Sequence, residues 1–440
     1  MYKHVRAIES HTPREDLPVA ILNWVCEHLQ AMTLRMRTYL TALVVASFTL
    51  SGSAQIDSTR RELVQLGYNQ PLIGKGPLAA YGFYFLNKPN YFNRTNLTLR
   101  LALAPVYMDS ELGVAEVLGP NTDIGFGMAG GGFADSYSEV HNGKYEQRES
   151  FRGHGGEISS SLYHLFNPGA RIPLYGLLRG AAHYSAYMDD KNTDENFALP
   201  DDQFTYRVRA GFRWGGREPL MLPDLAMELS VWYEGEFRTK PGRYGYNDDR
   251  LLEGDSHLYW ARALLNYTFP ESKQSFGINL TAGTGTRVDR LNAYRIGGNL
   301  PLYAEFPLSL PGYYFQELTA TTIILLGVNY NFPLDARKSW WITTLAATAY
   351  VDYLDDLEQP RNWNSGLGGG VVYRSPTDSW QIALAYGYGV DAIRNDDHGA
   401  HSISILVQFD LDRTRRRFFD PTENIGRSRG LQSIMRNIFR

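Results

Sequence analysis

Several things this chain has little of narrow its class. It carries one cysteine in 440 residues, Cys26, so no disulfide can form within it. Past the N-terminus no run approaches the ~18 consecutive apolar residues of a membrane-spanning helix. Positive charge is not in excess. The 43 Lys and Arg face 47 Asp and Glu, a formal net charge of −4, which argues against a strongly basic nucleic-acid binder. What the chain does have is aromatic residues, 13% of the total with 29 tyrosines and 8 tryptophans, together with 42 glycines. That combination leans toward an all-β protein.

From Met32 the sequence reads MTLRMRTYLTALVVASFTLSGSAQ. Arg35 and Arg37 form a positive segment, and Leu40 to Leu50 an apolar one of about eleven residues. Gly52-Ser53-Ala54 then offers a small-residue cleavage site before Gln55. This is the anatomy of a secretory signal peptide over 32–54, and the apolar stretch is too short for an anchor helix. Residues 1–31, with Cys26, read as an upstream extension outside the mature protein, and 55–77 as a short periplasmic lead.

Beyond the lead, apolar and polar residues alternate with period two. In FTYRVRAGFRWG, Phe204, Tyr206, Val208, Ala210, Phe212 and Trp214 share one face, while Arg207, Arg209 and Arg213 share the other. In LAMELSVWYEGEFR, Leu225, Met227, Leu229, Val231, Tyr233 and Phe237 oppose Glu228, Glu234 and Glu236. Neighbouring strands therefore present arginines beside glutamates on one polar face, where cross-strand pairs can form.

A soluble sandwich shows similar alternation, but its strands usually run five or six residues. These segments run about ten to fifteen, near the 9–11 that a tilted strand needs to cross a bilayer. A sheet in lipid must pair both edges and so must close. The pattern predicts a transmembrane, antiparallel, up-and-down β-barrel over 78–411. About fourteen strands are expected, at 78–86, 94–107, 122–134, 154–166, 174–187, 203–214, 225–238, 257–269, 275–287, 319–332, 339–353, 365–374, 379–391 and 401–411. The start is irregular, and sixteen strands is the alternative. Short connections such as NPGARI, PESKQ and PTD alternate with long polar ones such as 188–202 and 239–256. That asymmetry is a mark of outer-membrane barrels. Trp340, Trp341 and Trp380 open strands beside short turns, and Tyr350, Tyr353, Tyr386 and Tyr388 lie toward the far ends, as interfacial aromatic belts require.

One connection is unlike the others. AYRIGGNLPLYAEFPLSLPGYYFQELTA, Ala293 to Ala320, is too long for a turn and too apolar for a solvated loop. Irregular backbone at membrane depth is tolerated only within protein or a water-filled cavity. The segment is therefore expected to fold into the lumen, with Gly297, Gly298 and Gly312 permitting tight bends.

The run YRIGG…LPGYYFQEL, then VNYNFPL, ATAYVDYL, GLGGGVVYRSPTDSWQIALAYGYG and SISILVQFDL resembles the C-terminal barrel of the BamA/TamA superfamily, or bacterial surface antigens. In that family a long extracellular loop folds back into the barrel and ends in an Arg-Gly-Phe/Tyr tip. The resemblance makes Gly312 and Tyr313 the loop tip, Asp352 its acidic partner on the wall, and Ser375-Pro376 a turn. Pro311 replaces the tip arginine, so the family's contact with Asp352 cannot form in the usual way. With about 23 residues between Gln55 and the first expected strand, no periplasmic POTRA domain fits. The resemblance implies a role in inserting or passing protein or lipid at the outer membrane of a Gram-negative-type bacterium. Outer-membrane lipid, client outer-membrane proteins and the barrel-assembly machinery are the implied partners. A weak seam between the first and last strands would be required, bordered by the outward row Ile403, Ile405, Val407, Phe409 and Leu411. A passive channel or a purely structural barrel is the second reading.

Other clusters have plainer explanations. Asp396, Asp397, His398 and His401 read as a solvated loop, and no metal is expected. His183, Ser185 and Arg179 share a polar face, but i,i+2 neighbours on a strand are badly placed for a nucleophile–base hydrogen bond. No enzymatic activity, cofactor or nucleic-acid partner is therefore expected. After 411 a basic tail continues to 440. Leu431, Ile434, Met435, Ile438 and Phe439 recur with helical spacing, which suits either a short amphipathic helix on the periplasmic side or a disordered tail.

Overall fold

A computed structural model of the chain describes residues 60–170, 172–216, 225–298, 308–395 and 397–412. The readings made for 1–59 and 413–440 lie outside these residues. The described strands form one antiparallel sheet closed on itself, with sixteen strands in the wall. The first half comprises β1 Arg61–Pro71, β2 Ala79–Pro89, β3 Leu97–Ala104, β4 Tyr107–Val114, β5 Thr122–Gly131, β6 Lys144–Leu165, β7 Leu174–Asp189 and β8 Gln203–Gly216. The second comprises β9 Leu225–Arg238, β10 Asp255–Thr268, β11 Ser275–Thr286, β12 Leu318–Pro333, β13 Trp340–Tyr353, β14 Trp363–Arg374, β15 Trp380–Arg394 and β16 Asp397–Asp410. Each strand pairs with the next. β16 returns to β1 along a ladder running from Leu63–Asp410 to Pro71–Ser402.

The wall is inside out relative to a water-soluble protein. Phe204, Tyr206, Phe212 and Trp214 of β8 are exposed, as are Phe126 and Met128 of β5, Leu229 and Val231 of β9, and Leu265 and Tyr267 of β10. Glu111, Glu228, Ser230, Ser402, Ser404 and Gln408 are buried on the other face. A closed sheet satisfies its own backbone, so an apolar outer surface is stable in hydrocarbon and unstable in water. On the last strand Ile403 and Phe409 are exposed, Ile405 and Val407 share their face, and Leu411 lies just past the strand end. Trp340 also points outward, whereas Trp341 and Tyr353 are buried on the inner face.

The two strands beyond fourteen are β1 and β4. β1 falls within the stretch expected to be periplasmic lead, and it makes β2 (expected as 78–86) the second strand, so the seam lies between β1 and β16. Its alternation covers only a short run, with Val64, Leu66 and Tyr68 outward and Gln65, Gly67 and Asn69 inward. β3 and β4 are eight residues each and turn on Pro105-Val106, inside a segment expected to be one strand and a loop. Glu111 of β4 is buried and pairs with Arg100 of β3 at 3.1 Å.

The long connections converge over one rim. Tyr137–His141 pairs antiparallel with the start of β6, and Tyr294–Ile296 with the start of β12. Gly242–Tyr244 pairs with Arg250–Leu252. Tyr137, Phe151, Phe197, Tyr244 and Leu252 form a buried cluster among them. Glu139 lies beneath, 3.5 Å from Arg250 and 3.7 Å from Arg290. Burial, and after it the Glu139 carboxylate, pushes the Tyr137 phenol well above its ordinary range. Backbone at the opposite rim turns tightly. The Ser375 hydroxyl accepts from the amides of Ser379 and Trp380 at 3.1 and 3.2 Å.

Candidate functional site

The long connection after β11 enters the barrel. Tyr294, Ile296, Leu310 and Tyr313 are buried in one cluster with inward-facing wall residues. Those wall residues come from opposite parts of the sheet: Trp232 of β9, Trp260 of β10, Ala347, Ala349 and Val351 of β13, and Ala400 of β16. Gly297 donates to Leu308 at 2.9 Å and Gly298 bridges Leu310, so the loop returns as a hairpin. Leu300, Leu302 and Phe306 lie outside the described residues.

The tip is Pro311-Gly312-Tyr313-Tyr314. It lies directly on wall backbone because the wall is glycine there. A methyl group on Gly366 of β14 would overlap Pro311, and one on Gly389 of β15 would sit 3.0 Å from the Tyr313 ring. Gly312 itself has φ +85 and presses against Tyr388 and Gly389. The Tyr313 hydroxyl donates to Asn364 at 3.2 Å, and Asn364 donates to the Tyr353 hydroxyl at 2.8 Å. Burial, then the nearby Glu317 charge, raises the Tyr313 phenol well beyond its ordinary range.

The charge that fixes the tip is not the one the resemblance implied. Asp352 is exposed on the outer face of β13, because Val351 and Tyr353 on either side of it point inward and the period is two. The lock is Glu317 with Arg394. Arg394 Nη1 and Nη2 each lie 2.7 Å from one Glu317 carboxylate oxygen, a two-pronged pair with side chains 2% and 0% exposed. The Tyr314 amide donates to the same carboxylate at 2.6 Å. The guanidinium also lies 3.5 Å from the centre of the Tyr314 ring. Relative to the contact the resemblance implied, the polarity is inverted, with the acid on the loop and the arginine on the wall.

Sequence reasoning missed both residues. Arg394 falls past the expected end of its strand, in a segment read as loop. Glu317 offered one signal: it is the charge that closes a long apolar run, and a charge buried with that run must find a partner.

The arginine–glutamate ladder lines the lumen below the loop. Arg207 Nε lies 3.0 Å from Glu236, and Arg209 Nε lies 3.2 Å from Glu234. Arg213 is 3.9 Å from Glu228, which also meets Arg262 at 3.5 Å. Arg209 stacks over Trp232 at 4.5 Å. The ladder is wider than expected. Arg207 reaches Glu157 of β6 at 3.3 Å, and Glu157 is 2.8 Å from Arg179 of β7. His183 bridges Glu157 at 3.5 Å and Asp135 at 2.8 Å. Burial acts most strongly on the Asp135 carboxyl and would raise it, but the His183 hydrogen bond and charge hold it below the usual range. Ser185 is buried, and the partners of the His183 ring are these two carboxylates. Among the described residues no group of three or more His, Cys, Asp or Glu is arranged to hold a metal ion.

No protein-family model matches the sequence, and no curated protein matches it. Solved structures do resemble it in fold. BamA from Haemophilus ducreyi lacking POTRA domains 1–3 superposes with a TM-score of 0.50 at 10% identity, over 80% of this chain and 71% of that one. CdiB from Escherichia coli gives 0.50 at 10% identity, over 81% and 64%. CdiB from Acinetobacter baumannii gives 0.49 at 12%, over 80% and 61%. The chain thus spans less than two thirds of either CdiB chain. At these identities the likeness is one of fold, a closed sixteen-stranded barrel.

Proposed function

We propose that this chain is a bacterial outer-membrane barrel that assists the insertion or passage of protein or lipid, acting through its low wall and its seam. The observation that carries this reading is the uneven height of the wall. β3 and β4 have eight residues, while β7 has sixteen. At ~3.3 Å per residue and a tilt of ~40°, eight residues rise about 20 Å and sixteen about 40 Å. An outer-membrane barrel ordinarily presents an apolar band of ~25 Å. Lipid beside β3 and β4 is therefore compressed, at a cost that grows with each ångström of mismatch. That thinned sector lies two strands from the β1–β16 seam. A strand arriving from the aqueous side meets a lower barrier there, and the seam edges offer backbone partners if they part.

The competing reading is a passive channel. It requires an open lumen, and the locked loop with its buried tip stands against it.

The test uses Leu66→Cys and Val407→Cys, which face each other across the seam. In liposomes holding the full chain, the folding rate of a urea-unfolded eight-stranded barrel is measured with the disulfide reduced and oxidised. The expected result is faster folding with reduced protein, by about tenfold over empty liposomes, and none with oxidised. Equal acceleration in both states removes the seam from the mechanism, and no acceleration in either removes the insertion reading.

A further inference from the structure

We propose that the inserted loop fastens the seam, with Tyr314 as the side chain that holds both edges together. The β1–β16 ladder ends at Pro71–Ser402, and one more bond follows, from the Leu72 amide to the His401 carbonyl at 2.8 Å. Above that point the β1–β2 turn, residues 72–78, rises beside the end of the β15–β16 hairpin. Among the described residues nothing in the sheet ladder joins the two there. Tyr314 does. Its hydroxyl donates to the Ile73 carbonyl at 3.2 Å. Its ring lies in a cradle made by Gly74 and Gly76, where a methyl group on Gly76 would come within 2.5 Å of the ring.

The same ring takes the Arg394 guanidinium at 3.5 Å. Arg394 belongs to β15 and pairs with Asp397 at the start of β16, so it moves with the far edge of the seam. Its stem also approaches the Gly74 position, within 3.7 Å of where a Cβ would lie. The tyrosine is thus clamped between a turn that belongs to β1 and an arginine tied to β16. Glu317 holds that arginine through its two terminal nitrogens, which makes the fastening continuous with the loop lock.

Two glycines have a reason to be where they are on this account. Gly74 has φ +76, and neither it nor Gly76 leaves room for a side chain beneath the ring. Parting the seam at this rim requires the β1–β2 turn to leave the tyrosine. Conversely, drawing the loop tip out of the lumen frees that turn. The coupling is therefore reciprocal.

The functional meaning of the inference rests on the proposed role of the seam, but its test does not. Hydrogen–deuterium exchange of the full chain in lipid nanodiscs reads the β1 amides directly. Tyr314→Ala is expected to speed exchange over 64–70 by tenfold or more and to leave β6 and β7 unchanged. Tyr314→Phe, which keeps the ring, is expected to change it less than threefold. Gly76→Val displaces the ring without removing it and is expected to match Tyr314→Ala. Unchanged β1 exchange in both Tyr314→Ala and Gly76→Val overturns the proposal. So does a rise spread evenly over all strands, which reports general loosening. Fast β1 exchange in a protein that accelerates no client would leave the fastening intact and remove the insertion reading alone.

Discussion

Glu317 and Arg394 lie 77 positions apart in the chain and meet with almost no exposure to solvent. Desolvating both charges is costly, and a pair of this kind is repaid only by good geometry and further hydrogen bonds. Here the carboxylate also takes the Tyr314 amide, and the guanidinium also meets the Tyr314 ring. Removing one partner leaves the other charge buried alone, which typically costs about 3–5 kcal/mol. Glu317→Ala should therefore lower exchange protection of the loop-tip amides by roughly a hundredfold or more. Glu317→Leu combined with Arg394→Met should recover most of that loss, because an apolar pair carries no desolvation debt. If the double substitution is as damaging as the single one, the lock is not electrostatic. Gly366→Val tests the seating of the tip from the wall side, since its side chain would strike Pro311. It should loosen the tip while leaving strand pairing intact, as read by the same exchange experiment. The period-two faces that carry Arg207, Arg209, Arg213, Glu228, Glu234 and Glu236 were legible in the sequence, because alternation is local. The Glu317–Arg394 lock was not, because nothing local marks which distant charge will satisfy a buried one. Asp352 shows the converse error. A motif suggested a partner whose parity on the strand sends it to the outer face.

Among elements, sustained alternation made most strands legible. Strands of twelve residues or more alternate long enough to stand out, and the inserted loop was visible as an apolar segment with nowhere else to go. β1 and β4 were hidden for separate reasons. The apolar–polar alternation of β1 spans only 64–69, and the strand opens with Glu62-Leu63, both buried. β4 turns two acids into the lumen, which looks like a loop until Arg100 is seen opposite Glu111. Two predictions belong to this scale. Single cysteines at Leu66 and Tyr68 should react slowly with a water-soluble maleimide in lipid and quickly after detergent-free unfolding. Fast labelling of both in the membrane would return 61–71 to the periplasmic lead. Deleting 61–71 leaves β16 and β2 as unpaired edges. That variant should fail to form the compact, heat-modifiable species seen by gel mobility, whereas a shortened cap hairpin, 242–252, should still form it.

For the whole molecule, the closed sheet, the outward apolar surface and the paired interior charges have one explanation: hydrocarbon outside and a polar, loop-filled lumen within. On the proposed function, the cap over one rim and the lock on the tip keep the barrel shut at rest. Planar-bilayer recording of the full chain beside a variant lacking 294–316 tests this most directly. The account predicts a silent full chain and a steady conducting pore once the loop is gone. A full chain that conducts as steadily as the deletion would contradict it.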